Sequence, residues 1–324
     1  MVRTGVTALT LTLPTVSALI TLSGIIQPQI TQKMRAFVSD LQIIEINEKI
    51  IADEIFLSVQ TTSPVAEILT STNFLNLQKF ANLSALRVDC VAVDPAEFQS
   101  VNKRSFGKKR LLLLDVDSTL IQEEVIELLA IKAGAGAEVE RITAAAMSGQ
   151  IEFGAALDAR VKLLAGLPET VLEEVRQEIT LTAGARELIA ALQKLGHQVG
   201  IVSGGFIDVI EPLAKELNID FIRANKLEII DEKLTGRLQG NVIDRAGKAQ
   251  ALCDFAKIST VEIADTVAIG DGANDIDMLK TAGLGIAFNA KPILQSVADI
   301  SLNSPNLDCA LYLMGLSDAE IALI

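Results

Sequence analysis

Positive charge is scarce in this sequence: 28 Lys and Arg stand against 41 Asp and Glu, for a net charge of −13 over 324 residues. That balance argues against a nucleic-acid surface, because neutralising a phosphate backbone takes clustered cations that displace counterions. Any phosphate bound by this chain must meet a local site. Cysteine is equally sparse. Cys90, Cys253 and Cys309 are odd in number and widely spaced, which yields neither a disulfide framework nor a zinc cluster and fits a reducing cytoplasm. The lone histidine, His197, opens an apolar run, so its expected role is structural, and no Ser-His-Asp or Cys-His arrangement has a context. A membrane span is also lacking. Gly5 to Ile26 is free of charge and follows Arg3, but it is dense in Thr and Ser, holds Pro14 and shows no small-residue cleavage pattern, so a soluble strand is expected there and no membrane partner.

What is present is apolar, 50% of residues, enough for about two domains of ~100–200 residues each. Residues 17–26 alternate like a strand, Gln29–Val38 reads as an amphipathic helix, Leu41–Val59 holds two β-rich runs around Asn47–Lys49, Val65–Phe80 is helical in pattern, and Leu86–Val93 is again a strand. That βαββαβ order is the ferredoxin-like split arrangement. It spans residues 17–100 after an extension at 1–16, and a polar stretch at 101–110 forms the linker. From Leu111 the pattern changes to short apolar runs, Leu111–Leu114, Val199–Val202, Val267–Ile269 and Gly285–Phe288, as expected of strands buried on both faces of a parallel sheet. A doubly wound α/β domain over 111–324 follows. Between the first two runs a helical insert at about 123–180 is too long for a simple crossover and reads as a cap over the carboxyl end of the sheet. Two β-rich runs flanking Asp231-Glu232 predict a hairpin beside the core.

Four pieces carry chemistry. The first core strand runs into Asp115-Val116-Asp117-Ser118-Thr119, two carboxylates where open α/β sheets bind ligands, with alternation placing both on one side. A calcium loop would require Gly and Glu at the positions held by Leu120 and Ile126. The second strand ends in Ser203-Gly204-Gly205-Phe206, whose hydroxyl and unhindered backbone N–H groups suit a phosphate oxygen. Lys248 lies at a helix start, where the helix dipole disfavours a cation; taken singly it reads as a solvated surface lysine. Gly270-Asp271-Gly272-Ala273-Asn274-Asp275 puts two carboxylates and an amide on a glycine-rich loop, suited to a hard cation such as Mg²⁺. The partial GxGxxG at Gly134 and Gly136 has Val139 as its third position and follows a helix, so it does not make a dinucleotide site.

DxDxT, Ser, Lys and GDxxND, in this order on successive α/β elements, resemble the haloacid dehalogenase superfamily. Within it, DVDSTLIQEEVIELLA, the cap segment FGAALDARVKLLAGL and ANKLEIIDEKLTG resemble the phosphoserine phosphatases over about Leu111 to Asn289, with Ala156 where the family's cap pattern has Ser. The resemblance implies a Mg²⁺-dependent hydrolase that converts phosphoserine to serine and phosphate, the last step of serine biosynthesis. It implies Asp115 as nucleophile, Asp117 as general acid and base, and Lys248, Ser203, Gly204 and Asn274 around the phosphate. Asp115, Asp271 and the Asp117 carbonyl would hold the metal, with Asp275 orienting Lys248. Glu124 would take the amino group and Arg160 the carboxylate, and Met147 and Phe153 would pack over the substrate. The first 100 residues resemble an ACT-type module more loosely. Gln29 in Ile26-Gln27-Pro28-Gln29 stands where ligand-binding members have Gly, so weak serine binding is expected, with the module serving a homodimer. Another small phosphomonoester, phosphothreonine or a sugar phosphate, remains open as substrate, as does a non-catalytic amino-acid-binding protein.

Overall fold

The computed structural model describes residues 18–25, 43–51, 54–61, 89–93, 110–147, 150–303 and 305–314. In the first four of these segments, and at Met147, Phe153 and Tyr312, it describes the backbone alone. The chain divides into two units, Met1–Ser100 and Val101–Ile324. In the first, β1 (Ala18–Ile25), β2 (Ile43–Ile51), β3 (Glu54–Thr61) and β4 (Asp89–Val93) form one antiparallel sheet in the order β2-β3-β1-β4. Two strands occupy the stretch expected to hold two β-rich runs, but they do not divide around Asn47–Lys49, because β2 runs on to Ile51 and pairs back through Ile51 with Glu54. The helices expected at Gln29–Val38 and Val65–Phe80, like the extension at 1–16, lie outside the described residues.

The second unit is built on a seven-stranded sheet, order β11-β10-β9-β5-β6-β7-β8. The strands are β5 (Leu111–Asp115), β6 (Gln198–Phe206), β7 (Phe221–Ile230), β8 (Lys233–Gln239), β9 (Thr266–Gly270), β10 (Leu284–Phe288) and β11 (Ile300–Leu302). All neighbours are parallel except β7 and β8. Every residue of β5, β9 and β10 is buried, which is why the sequence shows them as unbroken apolar runs. The predicted hairpin exists, yet it extends the sheet instead of standing beside it, since β7 continues the parallel ladder from β6. From β5 the chain crosses to β6 on one side and later to β9 on the other. The carboxyl end of β5 is therefore a topological switch point, where the crevice of such a sheet opens.

Between β5 and β6 stand, among the described residues, five α-helices, α1 (Val125–Lys132), α2 (Gly136–Met147), α3 (Phe153–Lys162), α4 (Val171–Glu178) and α5 (Ala185–Lys194). Of these, α2 covers the stretch with the partial glycine motif, and Gly134, at φ +66, serves the turn after α1. The cap enters and leaves through a narrow neck in which Gln122 N–H bonds Thr180 O at 3.0 Å and Glu123 Oε2 accepts from Thr180 N at 2.9 Å. Its far end is tied to the hairpin, where Gly166 N–H donates to Leu234 O and Leu234 N–H to Leu167 O. After β6 come α6 (Ile207–Glu216) and, beyond the hairpin, α7 (Arg245–Ser259). On α7, Ala251, Leu252, Phe255 and Ala256 pack with Leu111, Leu113 and Val202 in one apolar cluster. Among the described residues no helix is long and apolar enough to cross a membrane.

Candidate active site

Asp115 is the last residue of the central strand, and the backbone leaves the sheet immediately after it in a wide helical turn over Val116–Leu120. Within that turn Asp117 is extended (φ −63°, ψ 132°) and Ser118 is left-handed (φ 56°), a conformation that costs a non-glycine residue energy and clusters at functional sites. Asp117 thus reaches the site of Asp115 through a turn, not through strand alternation. Its two oxygens are both held: Oδ1 accepts from Val125 N at 2.8 Å and Oδ2 from Ser203 Oγ at 2.8 Å. Gly205 N–H in turn donates to Ser203 Oγ at 2.6 Å. A Cβ on Gly205 would stand 2.8 Å from Asp117 Oδ2, so this position must be glycine for the aspartate to dock.

Lys248 is 1% exposed, which overturns its reading as a solvated surface lysine. Asp244 caps α7 by accepting from Gly247 N at 2.8 Å, and Lys248 follows on the same face as Ala251, Leu252 and Phe255, the spacing of a core-facing stripe. Its Nζ lies 2.8 Å from Asp115 Oδ1 and 2.7 Å from Asp275 Oδ1. Two carboxylates at that range outweigh its burial and keep the ammonium charged. Val116 N–H also donates to Asp115 Oδ1, at 2.7 Å, so among the described residues both bonds fall on Oδ1 and Oδ2 is left uncommitted. Asp275 is fully buried and takes Gly272 N–H on Oδ2 at 3.0 Å; a Cβ on Gly270 would lie 2.4 Å from its Cγ.

Carboxylate oxygens of Asp115, Asp271 and Asp275 lie within 4.8 Å of one another, three carboxyl groups against Lys248 and, at Asp271, the charge of Lys291. Burial first, and then repulsion from Asp275, push Asp115 well above the usual carboxylate range and Asp271 up to about 6. Hard oxygen donors with unbalanced negative charge fit a divalent cation. Asn274, half-buried, follows on the same loop.

The cap supplies the remaining polar groups. Glu124 keeps exposed surface at the cleft, accepts from Ser118 Oγ at 2.9 Å, and is raised to about 7 by crowding of protein around its carboxyl and by Asp117. Arg160, on α3, bonds Ala156 O and Thr143 Oγ1, each at 3.3 Å, and feels the field of Glu124, Glu127 and Asp117. The side chains of Met147 and Phe153 lie outside the described residues. His197 accepts from Arg110 N at 3.2 Å through Nδ1, away from these groups in a strand-joining role. Neither Thr143 nor Asn225, whose amide bonds Gly204 O and Ile243 N, is given a role by the sequence, although Asn225 is the one amide in the family-like segment ANKLEIIDEKLTG.

A family model for haloacid dehalogenase-like hydrolases matches residues 112–280. The chain is 56% identical over 213 residues to a protein named phosphoserine phosphatase SerB2 from Mycobacterium tuberculosis, covering 66% of this chain and 52% of that one. It is 48% identical over 199 residues to a phosphoserine phosphatase of Streptococcus thermophilus, covering 61% of this chain and 93% of that one. Among solved structures, one titled as a phospho-aspartyl intermediate analogue of phosphoserine phosphatase superposes with a TM-score of 0.61 at 44% identity, over 64% of this chain and 99% of the other. The chain spans about half the length of the first two curated relatives, 52% of each.

Proposed function

The chain belongs to the haloacid dehalogenase-like hydrolase family, and from that membership we propose that it is a Mg²⁺-dependent phosphoserine phosphatase working through an aspartyl phosphate. The observation that carries the reading is the buried Asp115 at the switch point, with Oδ1 fixed by Lys248 and Val116 N–H and Oδ2 uncommitted. Asp115 Oδ2 attacks phosphorus, the bond from phosphorus to the serine oxygen breaks, and Asp117 gives its proton to that oxygen. Water then attacks phosphorus, the bond to Asp115 breaks, and Asp117 takes the proton back. Both Asp117 oxygens are fixed by the cap entrance and Ser203, so the carboxyl is held in one orientation for both transfers. Lys248 and the Ser203-Gly204 loop face the charge on the phosphoryl oxygens, Asn274 helps hold the phosphate, and Asp275 orients Lys248.

Asp115, Asp271 and the Asp117 carbonyl would hold Mg²⁺, which when bound supplies positive charge to the phosphate oxygens. Its affinity should weaken as pH falls, by at least about tenfold per pH unit below about 6, because the Asp271 carboxyl, raised to about 6, and the Asp115 carboxyl, pushed up by burial and by Asp275, bind protons that the cation must displace. The sign for stability follows. A raised carboxyl holds a proton in the folded chain where the unfolded chain has lost it, so the metal-free protein should lose stability as pH rises from the ordinary carboxylate range through about 6, and Mg²⁺ should flatten that slope. Thermal melts with and without Mg²⁺ from pH 5 to 8 check this; metal-free stability that climbs with pH would contradict it.

Arg160 carries a charge opposite to the carboxylate of phosphoserine, and Glu124, once ionised, one opposite to its amino group; their place in the cap, within the field of Asp117, supports the substrate assignment. Losing one charge-assisted contact costs about 1.5–3 kcal/mol, or roughly ten- to hundredfold. Arg160→Ala or Glu124→Gln should lose that much in kcat/KM on phosphoserine and far less on an aryl phosphate, which lacks both groups. Equal losses on the two substrates would remove the serine assignment. The antiparallel order β2-β3-β1-β4 supports an ACT-like first unit, serving a cytoplasmic homodimer.

A further inference from the structure

We propose that Asn225 is a positioning residue for catalysis, a single buried amide that sets the phosphate-binding loop and the lysine-bearing helix together. The inference rests on the phosphatase reading of the site, but not on serine as the leaving group.

Between Val202↔Arg223 and Phe206↔Asn225 the β6–β7 ladder slips: β6 advances four residues while β7 advances two. The extra backbone, Ser203 to Gly205, bulges out of the ladder, as strands do next to active sites, and its polar groups lose their strand partners. Asn225, 2% exposed, supplies one of them. Its Nδ2 donates to Gly204 O at 2.7 Å, while Gly205 N–H, the other half of the same peptide, donates to Ser203 Oγ. The Gly204–Gly205 peptide is therefore held at both ends, and through Ser203 Oγ the chain of bonds continues to Asp117 Oδ2. The other side of the amide, Oδ1, accepts from Ile243 N at 2.7 Å. Ile243 lies immediately before Asp244, the cap of α7, and Lys248 follows one turn later. The carbonyl of Gly204 must meet an NH₂ and the N–H of Ile243 must meet an oxygen, so only one orientation of the amide satisfies both.

A role in folding alone would not call for this residue. Burying an amide is unfavourable unless both ends are bonded, and an apolar side chain with an unbroken ladder would cover the same place. The bulge is what frees the Ser203-Gly204 segment to face Asp117, and Asn225 is what makes the bulge rigid. Preorganised donors act through position, and displacement of about an ångström lowers rate steeply.

The test uses the whole 324-residue chain, loaded with Mg²⁺, with Asn225→Leu, which keeps the branched outline of the side chain, with bulkier methyl ends, and removes both bonds. Inorganic phosphate should bind about tenfold more weakly by calorimetry, and kcat/KM on an aryl phosphate should fall about ten- to hundredfold. The ratio of phosphoserine to aryl phosphate activity should stay unchanged, because Glu124 and Arg160 are untouched. If Asn225→Leu does not fold, the smaller and still polar Asn225→Ser, which cannot span both partners, takes the same measurements. A folded variant with phosphate affinity and aryl phosphate turnover within twofold of wild type overturns the inference, even if its Tm is lower. Failure of the serine assignment is separately visible as a wild-type protein active on aryl phosphate and inactive on phosphoserine. Were no ester turned over, phosphate affinity alone would decide the inference.

Discussion

Asp115→Asn is expected to abolish turnover while leaving the fold intact. An amide at this position keeps an oxygen for Val116 N–H and Lys248 but cannot form the acyl phosphate, so the loss should be on the order of 10⁴-fold or more, as when other covalent nucleophiles are removed. Stability should not suffer. Asp115 is pushed up by burial and by the neighbouring Asp275 and Asp271, so deleting its charge relieves repulsion in the metal-free protein, and Tm should hold or rise. The check is turnover of phosphoserine alongside thermal melts. Activity within tenfold of wild type would sink the covalent mechanism, and a collapse in Tm would mean that Asp115 is needed for folding.

Lys248→Met should damage both fold and chemistry. The side chain is buried between Asp115 and Asp275, and deleting one partner of a buried pair costs about 3–5 kcal/mol because the remaining charges are stranded. At about 2–4 °C per kcal/mol for a domain of this size, Tm should fall by about 6–20 °C. Turnover should drop at least ~10²–10³-fold, the cost of losing one electrostatic contact to the developing charge. The two effects separate in a double variant. Adding Asp275→Asn removes one stranded carboxylate and should recover much of the lost Tm, while turnover stays down. A double variant that regains activity would reduce Lys248 to a counter-charge for Asp275.

How far the sequence could be read depended on the kind of element. The four uniformly apolar runs of the parallel sheet appear as β5, β6, β9 and β10 because strands covered on both faces have no polar alternation to blur them. The division of the two β-rich runs around Asn47–Lys49 was misplaced for the opposite reason. Polar residues suggest a turn, yet they are tolerated in a strand, and β2 carries them through to Ile51. Lys248 was misjudged when taken singly, since a lysine is rarely buried without partners. Its spacing of three, four and seven residues to Ala251, Leu252 and Phe255 was visible, but its partners come from β5 and from the loop after β9.

By itself, the sequence determined the chemistry available: the residue types at Asp115, Asp117, Lys248, Asp271 and Asp275, their order along alternating strands and helices, and the acidic balance that leaves phosphate only a local site. Short-range physics suffices for that, because hydrophobic period and motif spacing are properties of neighbouring residues. Tertiary structure alone decided which of these groups meet. Only the strand order puts β6 and β9 on either side of β5, joining Ser203 to Asp117 across 86 positions and Lys248 to Asp275 across 27. Only the ladder slip at Ser203–Gly205 gives Asn225 a carbonyl to hold. Such contacts follow from how the sheet is wound and packed, and a one-dimensional pattern carries no term for distance between residues far apart in the chain.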